Sequence, residues 1–251
     1  PGYPPLWKAE TPEKHPEIPR PDNLRFSDGA ESRALVVHGP LTLKMQLEPV
    51  LAAAGLSATH AYTVTEGTVE RIRGFPLSYK EIMQQRLLVF NNVDTRLLGV
   101  IQRALLHDFL NIGGGLVVLG GTATTTQSAA GDVLFSGAVK PASTHVAATM
   151  RLRAELVSTC LDTSQFPVQA GGVVWQESGK PSTCSASTGA GQVVAVEERG
   201  KGRIIYCGLS GIGGTVPADY WESRQWRRLF NGFLALAQGR NTHKEKRQQQ
   251  P

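Results

Sequence analysis

Phe109-Leu110-Asn111-Ile112-Gly113-Gly114-Gly115-Leu116-Val117-Val118-Leu119-Gly120-Gly121 decides the fold. Its first residues close an apolar stripe of helical spacing formed by Leu97, Ile101, Leu105, Phe109 and Ile112, and three glycines stop that helix. Its second half is four apolar residues in a row, with no polar alternation. Such a run suits a strand covered on both faces, as in a parallel sheet.

The same pattern recurs on both sides. Ala34-Leu35-Val36-Val37 ends in His38-Gly39-Pro40, residues 59–64 read as a second strand, and Leu87-Leu88-Val89-Phe90 ends in Asn91-Asn92-Val93-Asp94. Leu43, Leu47, Val50, Leu51 and Ala54 predict a helix that Gly55 ends and that Pro49 should kink or shorten. Ser78 is expected to cap a short helix reaching Gln84, with Glu81 at the capping-box position. Downstream, Gly200-Lys201-Gly202-Arg203 turns into Ile204-Ile205-Tyr206-Cys207. Trp226, Leu229, Phe230, Phe233, Leu234 and Ala237 then form the core-facing stripe of a last helix, and Gly239 ends it. Strands alternating with helices predict an α/β domain with a mainly parallel sheet built from residues 34–37, 59–64, 87–90, 116–119 and 203–207.

The remainder of the chain departs from this rhythm. Residues 1–32 carry seven prolines and read as an extended arm or linker, with Leu6 and Trp7 as its anchors. Residues 122–190 are rich in Ser, Thr, Ala and Gly and read as an insertion, with a helical turn near 147–156 and a short β-like piece at 173–176; another such piece follows it at 193–196. Residues 240–251 are a basic tail. The α/β domain therefore spans residues 33–239.

With 251 residues, 41% of them hydrophobic, the chain can bury one sizeable core, so a disordered protein is excluded. No run of about 18 apolar residues occurs, which excludes a membrane-spanning helix. The net charge of +5 is misleading as a sign of nucleic-acid binding. Seven basic residues and one acid lie from Arg224 onward, and everything before it sums to −1. The basicity belongs to the last helix and the tail, so no nucleic-acid partner is expected.

Cys160, Cys184 and Cys207 are too few and too widely spaced for a disulfide framework or a zinc site. A single bridge such as Cys160–Cys184 and three free thiols both fit, and the compartment stays open. His15, His38, His60, His107, His145 and His243 are scattered, so neither metal nor cofactor is expected; His107 should lie on a helix surface.

In open α/β sheets ligands bind beyond the carboxyl ends of the strands. That rule selects His38, Asn92, Asp94, Gly120, Gly121, Thr122 and Ser210 as ligand-binding candidates. Short motifs add little. Gly208-Leu209-Ser210-Gly211-Ile212 lacks the last glycine of a nucleophile elbow, and Gly211 to Val216 is not a dinucleotide fingerprint.

The Phe109–Gly121 stretch resembles the glycine-rich signature of the class I glutamine amidotransferase-like superfamily, in the branch that includes trehalose-utilisation-type proteins and the trimerisation domain of some β-galactosidases. Leu87 to Asp94 is similar to another strand of that family. Glu198 to Tyr206 is similar to its Gly-Lys-Gly-Arg strand, and Trp226 to Ala237 to its closing helix. The resemblance implies a flavodoxin-like, three-layer domain. It also marks departures. The family's cysteine elbow is replaced by Leu119-Gly120-Gly121-Thr122-Ala123, and its His-x-Glu by Cys207-Gly208-Leu209-Ser210. Without a thiolate and its base, covalent glutamine hydrolysis is not expected. Thr122 could replace the cysteine only with a base beside it, for which His38 is the candidate. The expected function is a non-catalytic binding or interaction module. Its ligand would be a small polar molecule or a carbohydrate, or its partner a protein held by the proline-rich arm or basic tail. A hydrolase or transferase with another nucleophile, and a structural subunit of a larger assembly, are the alternatives.

Overall fold

The structure is a computed structural model and describes residues 19–40, 42, 45–66, 69–120, 139–141, 150–151, 160–166, 169–170, 175–177, 186–188, 191–209 and 216–239. In chain order its strands are β1 (Arg33–His38), β2 (Ser57–Glu66), β3 (Val69–Arg73), β4 (Leu87–Asn91), β5 (Gly115–Leu119), β6 (Val139–Pro141), β7 (Met150–Arg151), β8 (Gln169–Ala170), β9 (Trp175–Glu177), β10 (Ala186–Thr188), β11 (Gly191–Arg199) and β12 (Gly202–Cys207). The α-helices are α1 (Leu47–Ala53), α2 (Tyr79–Ile82), α3 (Val100–Asn111) and α4 (Arg224–Ala237).

The five predicted strands form the parallel block. β2, β1, β4, β5 and β12 lie side by side in that order, each parallel to its neighbour. Every residue of β4 and β5 is buried, as an unalternating run requires. Antiparallel strands extend both sides: β3 beyond β2, and β11, β9 and β6 beyond β12, with β10 on β11. β3 escapes a hydrophobic reading because only Ile72 of its five residues is buried. The helices cover both faces of the sheet. Leu47, Val50 and Leu51 of α1 pack with the α4 stripe against Ala34, Val36, Val89, Val117 and Ile205. Tyr79 and Ile82 of α2 and Leu105, Leu106 and Phe109 of α3 pack against Leu35, Val37, Leu88, Leu116 and Val118 on the other face.

The helices mostly stand where the pattern put them, with ends shifted for local reasons. α1 starts at Leu47 rather than Leu43, which brings Pro49 into the first turn, where its missing N–H breaks no helical bond. Gly55 follows with φ +75°, the left-handed ending that glycine accepts freely. Ser78 accepts from the Glu81 amide, but Glu81 caps the Leu77 amide in return and α2 stops at Ile82. Leu97 belongs to a separate 3-10 turn ahead of α3. In α4, Ser223 caps the Trp226 amide and Gly239 has φ +78°. The helical turn expected near 147–156 is corrected at Met150 and Arg151, which form β7 and pair with β8. Leu24 and Phe26 of the arm pack on the core; the Phe26 ring stands perpendicular to Phe109 with 5.6 Å between centroids and lies under the Arg86 guanidinium at 4.2 Å. Leu6, Trp7, most of the insertion and the tail lie outside the described residues. Cys160 is disulfide-bonded, whereas Cys207 is a buried free thiol.

The signature glycines gather at the amino ends of β5 and β12. A β-carbon on Gly202 would fall 2.4 Å from the carbonyl oxygens of both Gly114 and Leu110. One on Gly114 would strike the Phe109 ring at 2.2 Å, and one on Gly115 the Ala237 carbonyl oxygen at 2.6 Å. These glycines let α3, α4 and two strands meet at backbone distance.

Candidate functional site

The carboxyl ends of the strands lie at the opposite end of the sheet. From β1 the chain goes to β2 on one side, then crosses to β4 on the other, so the winding reverses between β1 and β4. That reversal is where an open α/β sheet leaves its ligand crevice. Here a row of backbone bonds continues past the strands: Gly39 to Asn91, Asn92 to Leu119, Gly120 to Cys207 and Gly208 to Val193. It brings His38, Asn92 and Gly120 onto one edge.

Asn91 and Asn92, both buried, turn their side chains to the chain leaving β1. Asn91 Nδ2 donates to the Thr42 carbonyl at 3.3 Å and Asn92 Nδ2 to the Pro40 carbonyl at 3.0 Å. Asn92 adopts φ +52°, a left-handed conformation that asparagine tolerates better than most residues. Asp94 stands aside from this group. Its carboxylate caps the 3-10 turn through the Arg96 amide and grips the Arg96 guanidinium, so it does structural service. Gly121, Thr122 and Ser210 lie outside the described residues, as does any pairing of Thr122 with His38.

His38 is joined by residues that the sequence reading did not select. Its Nε2 lies 3.0 Å from His60 Nδ1, and its Nδ1 lies 3.4 Å from Thr42 Oγ1. Thr42 Oγ1 donates to the Gly39 carbonyl at 3.1 Å. That bond uses the hydroxyl proton, so the network assigns one polarity: His60 Nδ1–H donates to His38 Nε2, and His38 Nδ1–H donates to Thr42. The imidazole centroids are 5.2 Å apart at 25°, which places the bonded nitrogens almost on the line between ring centres, edge to edge. Tyr62, 48% exposed, lies nearly parallel to His38 with 5.0 Å between centroids. Burial holds the His38 imidazole below its ordinary pKa; neighbouring His60 adds to that, and the Glu48 carboxylate opposes it. The signal in the sequence was period two: His60 and Tyr62 share a face of β2, and Tyr62 is in register with His38.

Cys207, at the end of β12, has its thiol pushed up to about 12 by complete burial and is no nucleophile in this setting. His107 is exposed on α3, as expected. No three His, Cys, Asp or Glu side chains among the described residues are placed to hold a metal ion, and no helix among them is long and apolar enough to cross a membrane.

No family model and no curated protein matches this sequence. Two similar solved structures share its fold, and a third is similar more loosely. Cytoplasmic protein STM1381 from Salmonella typhimurium LT2 is similar with a TM-score of 0.59 at 10% identity, over 82% of this chain and 99% of that one. Cytoplasmic protein STM3548 from Salmonella typhimurium gives 0.55 at 11% identity, over 82% of this chain and 98% of that one. A β-galactosidase from Bacillus circulans sp. alkalophilus gives 0.47 at 12% identity, over 84% of this chain and 32% of that one.

Proposed function

We propose that this protein is a non-catalytic binding module of the class I amidotransferase-like type, taking a small polar or carbohydrate ligand at the carboxyl ends of β1 and β2. In order of appearance the five parallel strands stand 2-1-3-4-5, which supports the flavodoxin-like arrangement. The observation that carries the reading is the occupation of the β1/β4 crevice by the protein's own groups. Asn91 and Asn92 spend their amides on the Thr42 and Pro40 carbonyls. The groups turned outward are instead His60 and the half-exposed ring of Tyr62. An aromatic face beside an imidazole suits the apolar C–H face of a sugar together with a hydroxyl.

The test is twofold. Titration with a panel of mono- and disaccharides, followed by NMR, should shift the His60 and Tyr62 resonances saturably, and Tyr62→Ala should abolish the response. Pure protein should release no ammonia from glutamine. Ammonia release that disappears in Thr122→Ala would overturn the reading in favour of a hydrolase.

A further inference from the structure

We propose that the His38–His60 pair is an acid-sensitive latch, whose protonation releases Gly39, Pro40 and Thr42 from the end of β4 and opens the crevice they close. The inference stands on the hydrogen-bond geometry and goes beyond the proposed function, since it holds whatever the crevice admits.

The bonded nitrogens lie on the axis between the two rings. Chelating a metal ion would need both lone pairs to converge on a point off that axis, so the species this arrangement accommodates is a proton. The chain has room for one added proton on His60 Nε2, at its end, with every bond intact. A second must go to His38 Nε2, the acceptor. Two N–H donors then face each other across 3.0 Å, both rings positive, and the bond from His60 is lost. His38 is tied through Thr42 Oγ1 to the Gly39 carbonyl, and the Thr42 and Pro40 carbonyls receive Asn91 and Asn92. The disturbance therefore begins on the segment that fills the crevice.

The groups facing His38 are His60 and Tyr62 from β2 and Glu48 from α1. Of these only Glu48 and the Tyr62 ring favour a charged His38, and burial outweighs them. The closed form thus binds the second proton more weakly than an open form does. By linkage, acid shifts the population towards the open form, and the effect sets in below pH 6.5.

Amide hydrogen exchange on the full chain tests this. The Gly39 amide, bonded to the Asn91 carbonyl at 2.8 Å, reports the latch. Its protection factor should fall at least tenfold from pH 7.5 to pH 5.0, while that of Val36 within β1 stays level. In His38→Asn, which keeps a donor for Thr42 and cannot be protonated, the Gly39 value should be flat across the same range. An unchanged wild-type value, or an equal fall in His38→Asn, overturns the proposal. Imidazole nitrogen shifts of the wild type decide the matter should that variant fail to fold. A His38 step below its ordinary value, with Gly39 following it, supports the latch; a His38 step at the ordinary value overturns it.

Discussion

A β-carbon on residue 39 would fall 1.7 Å from the carbonyl oxygen of Asn92. Gly39 is therefore the point at which the chain leaving β1 crosses the end of β4 at backbone contact. Gly39→Ala should force these segments apart and lower stability by about 2–3 kcal/mol, as overpacking of a closed site does. Gly29 is the control: it has open space around it and φ +77°, so Gly29→Ala should cost only about 1 kcal/mol. Urea midpoints of the two variants give the comparison, and equal midpoints would contradict the close approach.

Trp226 of α4 donates its indole N–H to the Met45 carbonyl at 2.6 Å, ahead of α1. Both groups are buried, so Trp226→Phe leaves a carbonyl without that donor and shortens a fully buried ring. A loss of about 1–3 kcal/mol is expected, read from chemical denaturation.

Phe230 is fully buried and stacks on Trp226 with 5.2 Å between centroids, whereas Arg227 and Arg228 are exposed. Phe230→Ala should cost about 3–5 kcal/mol. Arg227→Ala should stay within about 0.5 kcal/mol of wild type. Similar losses for both would show that α4 presents another face to the sheet.

Thiol counting checks the cysteines. With Cys160 bridged and Cys207 buried, a thiol reagent at pH 8 should find no reactive group in the native protein. It should find one in denaturant without reductant, and three after reduction. Reduction should also lower stability by about 2–4 kcal/mol, the usual effect of opening a native disulfide. A reactive thiol in the native state would mean that Cys207 is reachable.

The parallel strands β1, β4, β5 and β12 were legible because each carries an unbroken apolar run, and helices cover both faces of β1, β4 and β5. β3 and the full length of β11 were not: Glu70, Arg71 and Arg73 face water on the rim, and β11 runs on past its apolar residues into Glu197, Glu198 and Arg199. Of the candidate site, His38 and Asn92 could be named because they end such runs. His60 could not, because its importance arises from side-by-side pairing of β1 with β2, whose register no local pattern states. Asp94 illustrates the opposite error. A carboxylate after a strand looks available, yet the turn it starts uses both of its oxygens. The disulfide at Cys160 depends on how distant segments meet, which spacing along the chain does not encode.

The glycines at Gly114, Gly115 and Gly202 owe their presence to collisions avoided at one end of the sheet. His38, Asn92 and Gly120 stand at the other end. The two ends thus make separate demands on the sequence. A chain that keeps the tight meeting of α3, α4 and two strands can exchange an outward-facing group such as Tyr62 without loosening that frame, so that the most recognisable letters of this sequence specify its scaffold and are silent about its function.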